Sequence, residues 1–131
     1  MAWRPAPPSL IALFDAVLPA DSSIERRRMF GYPAAFVGGR LFAGLHQEDL
    51  ILKLSPEDRE RIERDFGARP FVPMPGRTMR EYRVVPPELL EDAASLRTWM
   101  LRSLAFVAGL GPSTVSAKRT AKRRRSSKRA R

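Results

Sequence analysis

The sequence contains no cysteine and only one histidine, His46. Without cysteine, the chain cannot form disulfides, thiolate nucleophiles, zinc fingers or iron–sulfur sites. A single histidine also excludes a metal site built from several histidines of one chain. We therefore expect neither a metal nor a cofactor.

Long apolar runs are also missing. No apolar segment approaches the roughly 20 residues that a membrane-spanning helix needs. The apolar stretch near the N-terminus is short and is interrupted by Asp15, which is unlike a secretory signal peptide. These absences predict a cytoplasmic protein that does not insert into membranes.

Acidic residues are absent from the C-terminal end, which makes the charge of the chain uneven. The chain has 24 Lys and Arg residues against 14 Asp and Glu residues, a net charge of +10. Nine of the positive charges lie in one terminal segment, here called the basic tail: Lys118, Arg119, Lys122, Arg123, Arg124, Arg125, Lys128, Arg129 and Arg131. The rest of the chain keeps 15 basic and 14 acidic residues, a net charge of +1.

Composition divides the 131 residues into three parts. Residues 1–8 are proline-rich and are predicted to be irregular, and residues 9–110 are predicted to form one domain. Residues 111–131 consist mainly of Ser, Thr, Ala, Lys and Arg. Such a segment buries too little apolar surface to offset the entropy of ordering, so we expect a disordered tail.

Helix signals occur in three places. The spacing of apolar residues predicts helices over residues 9–18, 56–66 and 87–110. The second helix has the clearest ends, because Ser55 is a preferred N-terminal cap and Gly67 suits a left-handed C-terminal cap.

Strand signals lie between these helices. The apolar segments within residues 24–54 predict three strands, and Gly38-Gly39 predicts the tight turn of a hairpin. Two short strands, over 69–72 and 80–84, are predicted on either side of a loop over 73–79. The order helix–three strands–helix–two strands–helix favours an α+β domain, with a mainly antiparallel sheet packed against helices.

Seven apolar residues are predicted to share one core: Phe14, Leu52, Ile62, Phe66, Leu96, Met100 and Leu104. Trp99 and Phe106 lie off the main apolar stripe of the last helix. They either contact the first helix or form an exposed surface for a partner.

Several segments resemble the N-terminal domain of the TfoX/Sxy family. They are RMFG at 28–31, GGRLFA at 38–43, LILK at 50–53, FVPMPGRTMREY at 71–82, and PPELLED at 86–92 with Trp99 further along. The resemblance covers roughly residues 9–110. It implies a helix–three strands–helix–two strands–helix domain of the secretion-chaperone-like type.

The founding members of this family are regulators of natural competence, and many relatives consist of the N-terminal domain alone. The resemblance therefore implies a regulatory or adaptor role. The competence regulators also carry a C-terminal helical domain, for which too few residues follow Leu110 in this sequence. The basic tail lies outside the family pattern.

The basic tail is the main predicted functional feature. Positive charges on a flexible segment release counterions from phosphates and bind DNA or RNA without sequence preference. No aromatic residue is interleaved with them, so base stacking by the tail is not expected. No apolar anchor lies beside these charges, so binding to an anionic membrane is less favoured. In the alternative interpretation the tail is incidental, and the domain is a protein-interaction or oligomerisation module.

Secondary nucleic-acid contacts are predicted at Arg26, Arg27 and Arg28, together with Arg77 and Arg80. On a regular strand Arg26 and Arg28 would share one face and Arg27 the other. The three would then be the charged residues of an edge strand rather than one patch.

Catalytic signals are weak. No nucleophile elbow, phosphate-binding glycine loop or metal-ligand spacing occurs, so we predict a protein that is not an enzyme. His46 is predicted to be a solvent-exposed turn residue. A third interpretation remains, in which the chain is a small-molecule-binding or enzymatic domain that uses the loop over 73–79. An unidentified protein partner is expected, and a homodimer is left open.

Overall fold

The computed structural model describes residues 4–111. Four helices and six strands follow one another along the chain: α1 (Pro8–Val17), β1 (Ile24–Met29), β2 (Tyr32–Val37), β3 (Arg40–His46), β4 (Asp49–Lys53), α2 (Pro56–Phe66), β5 (Arg69–Met74), β6 (Arg77–Val84), α3 (Pro87–Leu90) and α4 (Ala93–Ala108). The predictions made for the basic tail lie outside the described residues.

All six strands form a single sheet in the order β1-β2-β3-β4-β6-β5. Every neighbouring pair is antiparallel. Helix α4 packs on β2, β3 and β4, while α1 packs on α4 and β3, and α2 packs on β6. The predicted α+β class, with an antiparallel sheet packed against helices, is confirmed.

Four strands, rather than the predicted three, lie between the first two helices. They are joined by two-residue turns at 30–31, 38–39 and 47–48. Because the turns are so short, nearly all of residues 24–53 can pair in the sheet, and these residues form four strands. The predicted hairpin is confirmed, since Gly38 and Gly39 have φ of 59° and 78°, the region that a primed turn requires at both central positions.

The predicted loop over 73–79 is wrong. Strand β5 continues to Met74 and pairs it with Arg77, the first residue of β6. Only Pro75 and Gly76 remain as the turn, and Gly76 has a φ of 79°. Proline followed by glycine is the pair that a type II turn prefers at its two central positions, so the connection needs no more residues.

Helix α2 has the predicted ends. The Ser55 hydroxyl oxygen accepts a hydrogen bond from the Asp58 backbone N–H at 3.2 Å. Gly67 follows the last turn with a φ of 70°. Both caps are determined by local chemistry, and both are confirmed.

The other two helices differ from their predicted bounds. Helix α1 begins at Pro8 rather than Ser9, because proline suits the first helical turn. The predicted last helix is divided into α3 and α4 by Asp92. Its carboxylate accepts hydrogen bonds from the Ser95 backbone N–H at 3.2 Å and from the Ser95 hydroxyl at 2.7 Å, which lowers the pKa of Asp92. This cap starts a new helix where periodicity alone predicts a continuous one.

The main core lies between the helices and one face of the sheet. Of the seven predicted core residues, six are buried in it, and Phe66 is partly buried against it. The prediction of one core is therefore confirmed.

A smaller apolar cluster lies on the other face of the sheet. It consists of Ala34, Leu41, Ile51, Phe71, Tyr82 and Val84. The register of β5 is irregular on both sides of Phe71, and irregular pairing of this kind bends a strand. The sheet is curled. The curl is seen in the cleft that Met74 of edge strand β5 and Phe30, next to edge strand β1, line together.

Tyr82 gives this second cluster a measurable pH dependence. Its buried hydroxyl donates to the Leu41 carbonyl at 3.2 Å. Burial and the negative charge of Glu81 raise the pKa of Tyr82 to about 12 from an ordinary 10.0, although the positive charge of Arg40 acts in the opposite direction. The neutral phenol is thus favoured by folding, and its contribution is fully present below pH 10 and is lost as the pH rises through about 12.

We expect this loss to amount to roughly 2 kcal/mol of unfolding free energy, measured by urea denaturation across that pH range. Tyr82→Phe should remove the alkaline component, at the expense of about 1 kcal/mol at neutral pH from the missing hydrogen bond. An identical alkaline decline in Tyr82→Phe would contradict the assignment.

Candidate functional site

The predicted phosphate-binding charges of the basic tail lie beyond the described residues. Nucleic-acid binding by the tail therefore stays a prediction. The secondary contacts, the aromatic pair and His46 can all be placed.

Arg26, Arg27 and Arg28 are exposed on edge strand β1 and do not form one patch. Arg26 pairs with Asp15 of α1, and Arg27 pairs with Glu25 at 2.9 Å. Arg28 instead donates to the Gly31 carbonyl at 3.0 Å. The regular pairing of β1 with β2 places Arg27 on the face opposite Arg26 and Arg28, and two of the three charges face a carboxylate.

Arg77 and Arg80 are exposed on β6, which is separated from β1 by three strands of the sheet. The Arg80 carbonyl accepts hydrogen bonds from Arg59 at 3.3 Å and Arg83 at 2.6 Å. The predicted secondary contacts are therefore placed on two separate strands.

Trp99 and Phe106 both contact the core. Trp99 is buried, with its ring centroid 6.3 Å from that of Phe66 in an edge-to-face arrangement. Phe106 is partly buried against the same core. Trp99 is therefore a core residue rather than an exposed surface for a partner, and the ring that it meets belongs to α2 instead of the predicted first helix. The Arg102 guanidinium covers the Trp99 ring from outside at 5.7 Å.

His46 is partly buried, so its predicted position in an exposed turn is wrong. It is the last residue of β3 and lies among three aromatic rings. Its ring centroid is 5.2 Å from that of Phe71, 5.3 Å from Tyr32 and 6.4 Å from Phe30. Sequence reasoning missed this cluster because Phe71 arrives from β5 only when the sheet curls.

The rings of Phe30, Tyr32 and His46 border a cleft of about 200 Å³, here called the aromatic cleft. Its lining residues are Arg4, Phe30, Tyr32, His46, Gln47, Pro73 and Met74. The Tyr32 hydroxyl donates to the Arg4 carbonyl and so fixes the N-terminal side of the cleft. Phe30 and Met74 are 58% and 50% exposed, which is high for large apolar side chains at a concave surface.

A second group of charges joins α2 to α4. The Arg102 guanidinium donates to both oxygens of the Asp58 carboxylate, at 2.8 and 3.1 Å. This contact raises the pKa of Arg102. The residues are 44 positions apart, and no local pattern predicts their pairing. Because it fixes the two helices to each other, we assign the pair to the fold.

Ser103 is a further contact that sequence reasoning missed. Its buried hydroxyl lies 2.8 Å from the Phe42 carbonyl oxygen and 2.7 Å from the Lys53 carbonyl oxygen. The β2–β3 register skips Phe42, so its carbonyl is available to α4. A single hydroxyl proton serves one carbonyl at a time.

We expect Ser103→Ala to lower the free energy of unfolding by about 1–3 kcal/mol, because it removes the buried hydroxyl that donates to the Phe42 or the Lys53 carbonyl. Thr98→Ala is the matched control, since Thr98 donates to Ala94 from an exposed position on the same helix. It should change stability by at most about 0.5 kcal/mol. Equal denaturation midpoints for the two variants would contradict the role of Ser103.

Within residues 4–111, no group of three or more His, Asp or Glu side chains is arranged to hold a metal ion. No helix in this part of the chain is long and apolar enough to cross a membrane.

The described residues thus form an α+β domain, with helices on one face of a curled antiparallel sheet and a cleft where the sheet edges approach. The family described as the TfoX N-terminal domain matches residues 17–107, and the chain belongs to this family. The match runs from the last residue of α1 into α4 and includes all six strands. No curated protein matches the chain.

Proposed function

We propose that this TfoX N-terminal domain is a non-enzymatic regulatory or adaptor domain whose basic tail binds nucleic acid without sequence preference. The observation that carries the proposal is the separation of charge. Nine basic residues and no acidic residue occupy 118–131, whereas the rest of the chain has a net charge of +1.

The described surface supports this division of roles. On β1, carboxylates pair with Arg26 and Arg27, and Arg69 on β5 pairs with Asp49 at 3.3 Å. Exposed ion pairs such as these contribute little energy, but they reduce the attraction of the domain surface for phosphates. The tail therefore supplies most of the positive potential.

The position where the tail begins also supports the proposal. Helix α4 ends at Ala108, and the Gly111 carbonyl accepts a hydrogen bond from Arg40 at 3.3 Å. The last described residue, Gly111, thus lies seven positions before Lys118. Phosphate binding by the tail would leave the domain surface accessible to an unidentified protein partner.

Fluorescence anisotropy with two duplexes of unrelated sequence tests the proposal. The full chain is compared with a chain ending at Ala117, which retains the contact between Arg40 and Gly111. We expect the full chain to bind both duplexes with similar affinity, and the shortened chain to bind neither at salt near 0.15 M. Failure of the full chain to bind would instead favour a protein-interaction module with an incidental tail.

A further inference from the structure

The two edges of the sheet differ in their capacity to pair with another strand. At one edge, β5 contains Pro70 and Pro73, which have no backbone N–H, and its register is irregular on both sides of Phe71. Prolines and bulges are features by which edge strands avoid pairing. At the other edge, β1 contains no proline and pairs with β2 over all six of its residues without a register shift. Of the two edges, β1 is therefore the one whose backbone can extend the sheet.

The turn after β1 determines which backbone groups of this strand point outward. Phe30 and Gly31 form a two-residue turn with φ of 54° and 83°. The pair that flanks such a turn, Met29 and Tyr32, is hydrogen-bonded. Hydrogen-bonded and non-bonded pairs alternate along an antiparallel ladder. Counted back from Met29, every second residue of β1 thus bonds to β2, and the residues between direct their backbone groups away from the sheet.

The residues of β1 whose backbone groups point outward are Ile24, Arg26 and Arg28. The Ile24 N–H donates to the Asp21 carbonyl at 3.1 Å rather than to β2, which agrees with this assignment. Among residues 4–111, no backbone group outside the sheet bonds to the outward N–H groups of Arg26 and Arg28. A neighbouring strand could bond to these two donors and to the carbonyls of all three residues.

The charges along β1 are arranged so that the strand can complement itself. Arg26 pairs with Asp15 of α1, and Arg27 pairs with Glu25 at 2.9 Å. The Arg27 guanidinium also lies 5.4 Å from the centroid of the Phe36 ring, on the face of the sheet opposite Arg26. A two-fold interface requires a surface that is complementary to a copy of itself. Carboxylates and guanidinium groups at fixed positions of one strand meet this requirement.

We propose that β1 pairs antiparallel with β1 of a second copy of the chain, with the two-fold axis at Arg26. Outward residues form the hydrogen-bonded pairs, so Arg26 bonds to Arg26 of the second copy, and the Arg28 N–H donates to its Ile24 carbonyl. The same register places Glu25 directly opposite Arg27 of the second copy. This is a non-bonded pair, in which side chains lie closest. Dimerisation of this kind does not depend on nucleic-acid binding by the tail.

The neighbouring symmetric registers are less favourable. An axis at Glu25 would place the two Glu25 side chains directly opposite each other, and an axis at Arg27 would do the same for the two Arg27 side chains. Like charges in such pairs are destabilising. With the axis at Arg26 the two Arg26 side chains also meet, but each is already paired with Asp15. The charges at this axis are therefore balanced, and the register is selected by the pairs between Glu25 and Arg27.

The dimer should be weak, because each copy contributes one strand of six residues. Interfaces below the standard size belong to weak or transient complexes, so we expect a Kd on the order of 10 μM. The measurement is sedimentation of the full chain, without nucleic acid, at concentrations on either side of this value and at salt near 0.15 M. The unsubstituted chain should change from monomer to dimer as its concentration rises.

Two charge reversals test the register. Glu25→Arg makes the contact with Arg27 of the second copy repulsive, and Arg27→Glu does the same for the contact with Glu25. Each contact occurs twice in the dimer, so each variant should raise the Kd by about 10-fold or more. A mixture of the two variants should regain the affinity of the unsubstituted chain, because every carboxylate in the mixed dimer then faces a guanidinium.

Arg69→Glu is the matched control, because it makes the same change of charge on the other edge strand. Arg69 is exposed on β5 and pairs with Asp49 at 3.3 Å, an exposed ion pair that contributes little to stability. We expect this variant to dimerise like the unsubstituted chain. Melting temperatures of all variants, measured in parallel, should agree within a few degrees, about the effect of an exposed substitution.

Three results would overturn the inference. A chain that stays monomeric at every concentration would leave the β1 edge for a strand of a different protein. A dimer that both charge reversals leave unchanged would place the interface elsewhere. A mixture of the two folded variants that fails to form the mixed dimer would show that Glu25 and Arg27 do not meet across the axis.

Discussion

Replacing Leu104 with alanine should lower the free energy of unfolding by about 2–5 kcal/mol. Leu104 is 7% exposed in the main core, where α4 packs on the sheet. Truncation removes buried methyl groups and leaves a cavity that a close-packed core closes only in part. For a domain of about 100 residues, the loss should lower the melting temperature by at least about 8 °C.

Leu101→Ala is the matched control for this substitution. It makes the same chemical change on the same helix, at a side chain that is 48% exposed. We expect a change within about 0.5 kcal/mol. Equal melting temperatures for the two variants would show that the apolar stripe of α4 has been assigned to the wrong face.

Neutralising Arg123, Arg124 and Arg125 together with glutamine should weaken binding to duplex DNA strongly. Each phosphate contact contributes about 0.9 to the slope of log K against log salt, so three lost contacts lower that slope by up to about 2.7. At about 0.1 M salt this corresponds to a loss of up to about 500-fold. The measurement is an anisotropy titration at several salt concentrations.

The same loss of charge on the folded domain is the control. Glutamine at Arg26, Arg27 and Arg28 breaks exposed ion pairs with Asp15 and Glu25, which contribute little to stability. We expect an unchanged salt slope. A larger decrease in slope for this variant than for the tail variant would move the phosphate-binding site to β1.

Where local chemistry determines the backbone, the sequence predicts it well. Ser55 and Gly67 cap α2, and Gly38-Gly39 forms the β2–β3 turn, because hydrogen-bonding groups and positive φ act within a few residues. Reasoning from apolar periodicity fails at Asp92. There the periodicity of the apolar stripe predicts a continuous helix, and a competing cap interrupts it.

The candidate site was harder to predict, because it depends on contacts between distant segments. His46 enters an aromatic cluster only after the irregular pairing of β5 brings Phe71 across the sheet. Nothing around Ser103 in the sequence indicates its role, because its hydroxyl meets the Phe42 carbonyl only when α4 packs on the sheet. The positive φ of Phe30 is also hidden in the sequence, since aromatic residues seldom adopt it.

The most direct test of the account is the salt dependence of duplex binding by the full chain and by the chain ending at Ala117. Nine tail charges set an upper limit of about 8 for the slope of log K against log salt, and a flexible tail engages fewer phosphates. We expect a steep slope for the full chain and a slope near zero for the shortened chain, with equal melting temperatures for both. Equal slopes and affinities for the two chains would contradict the account and place nucleic-acid binding in the folded domain.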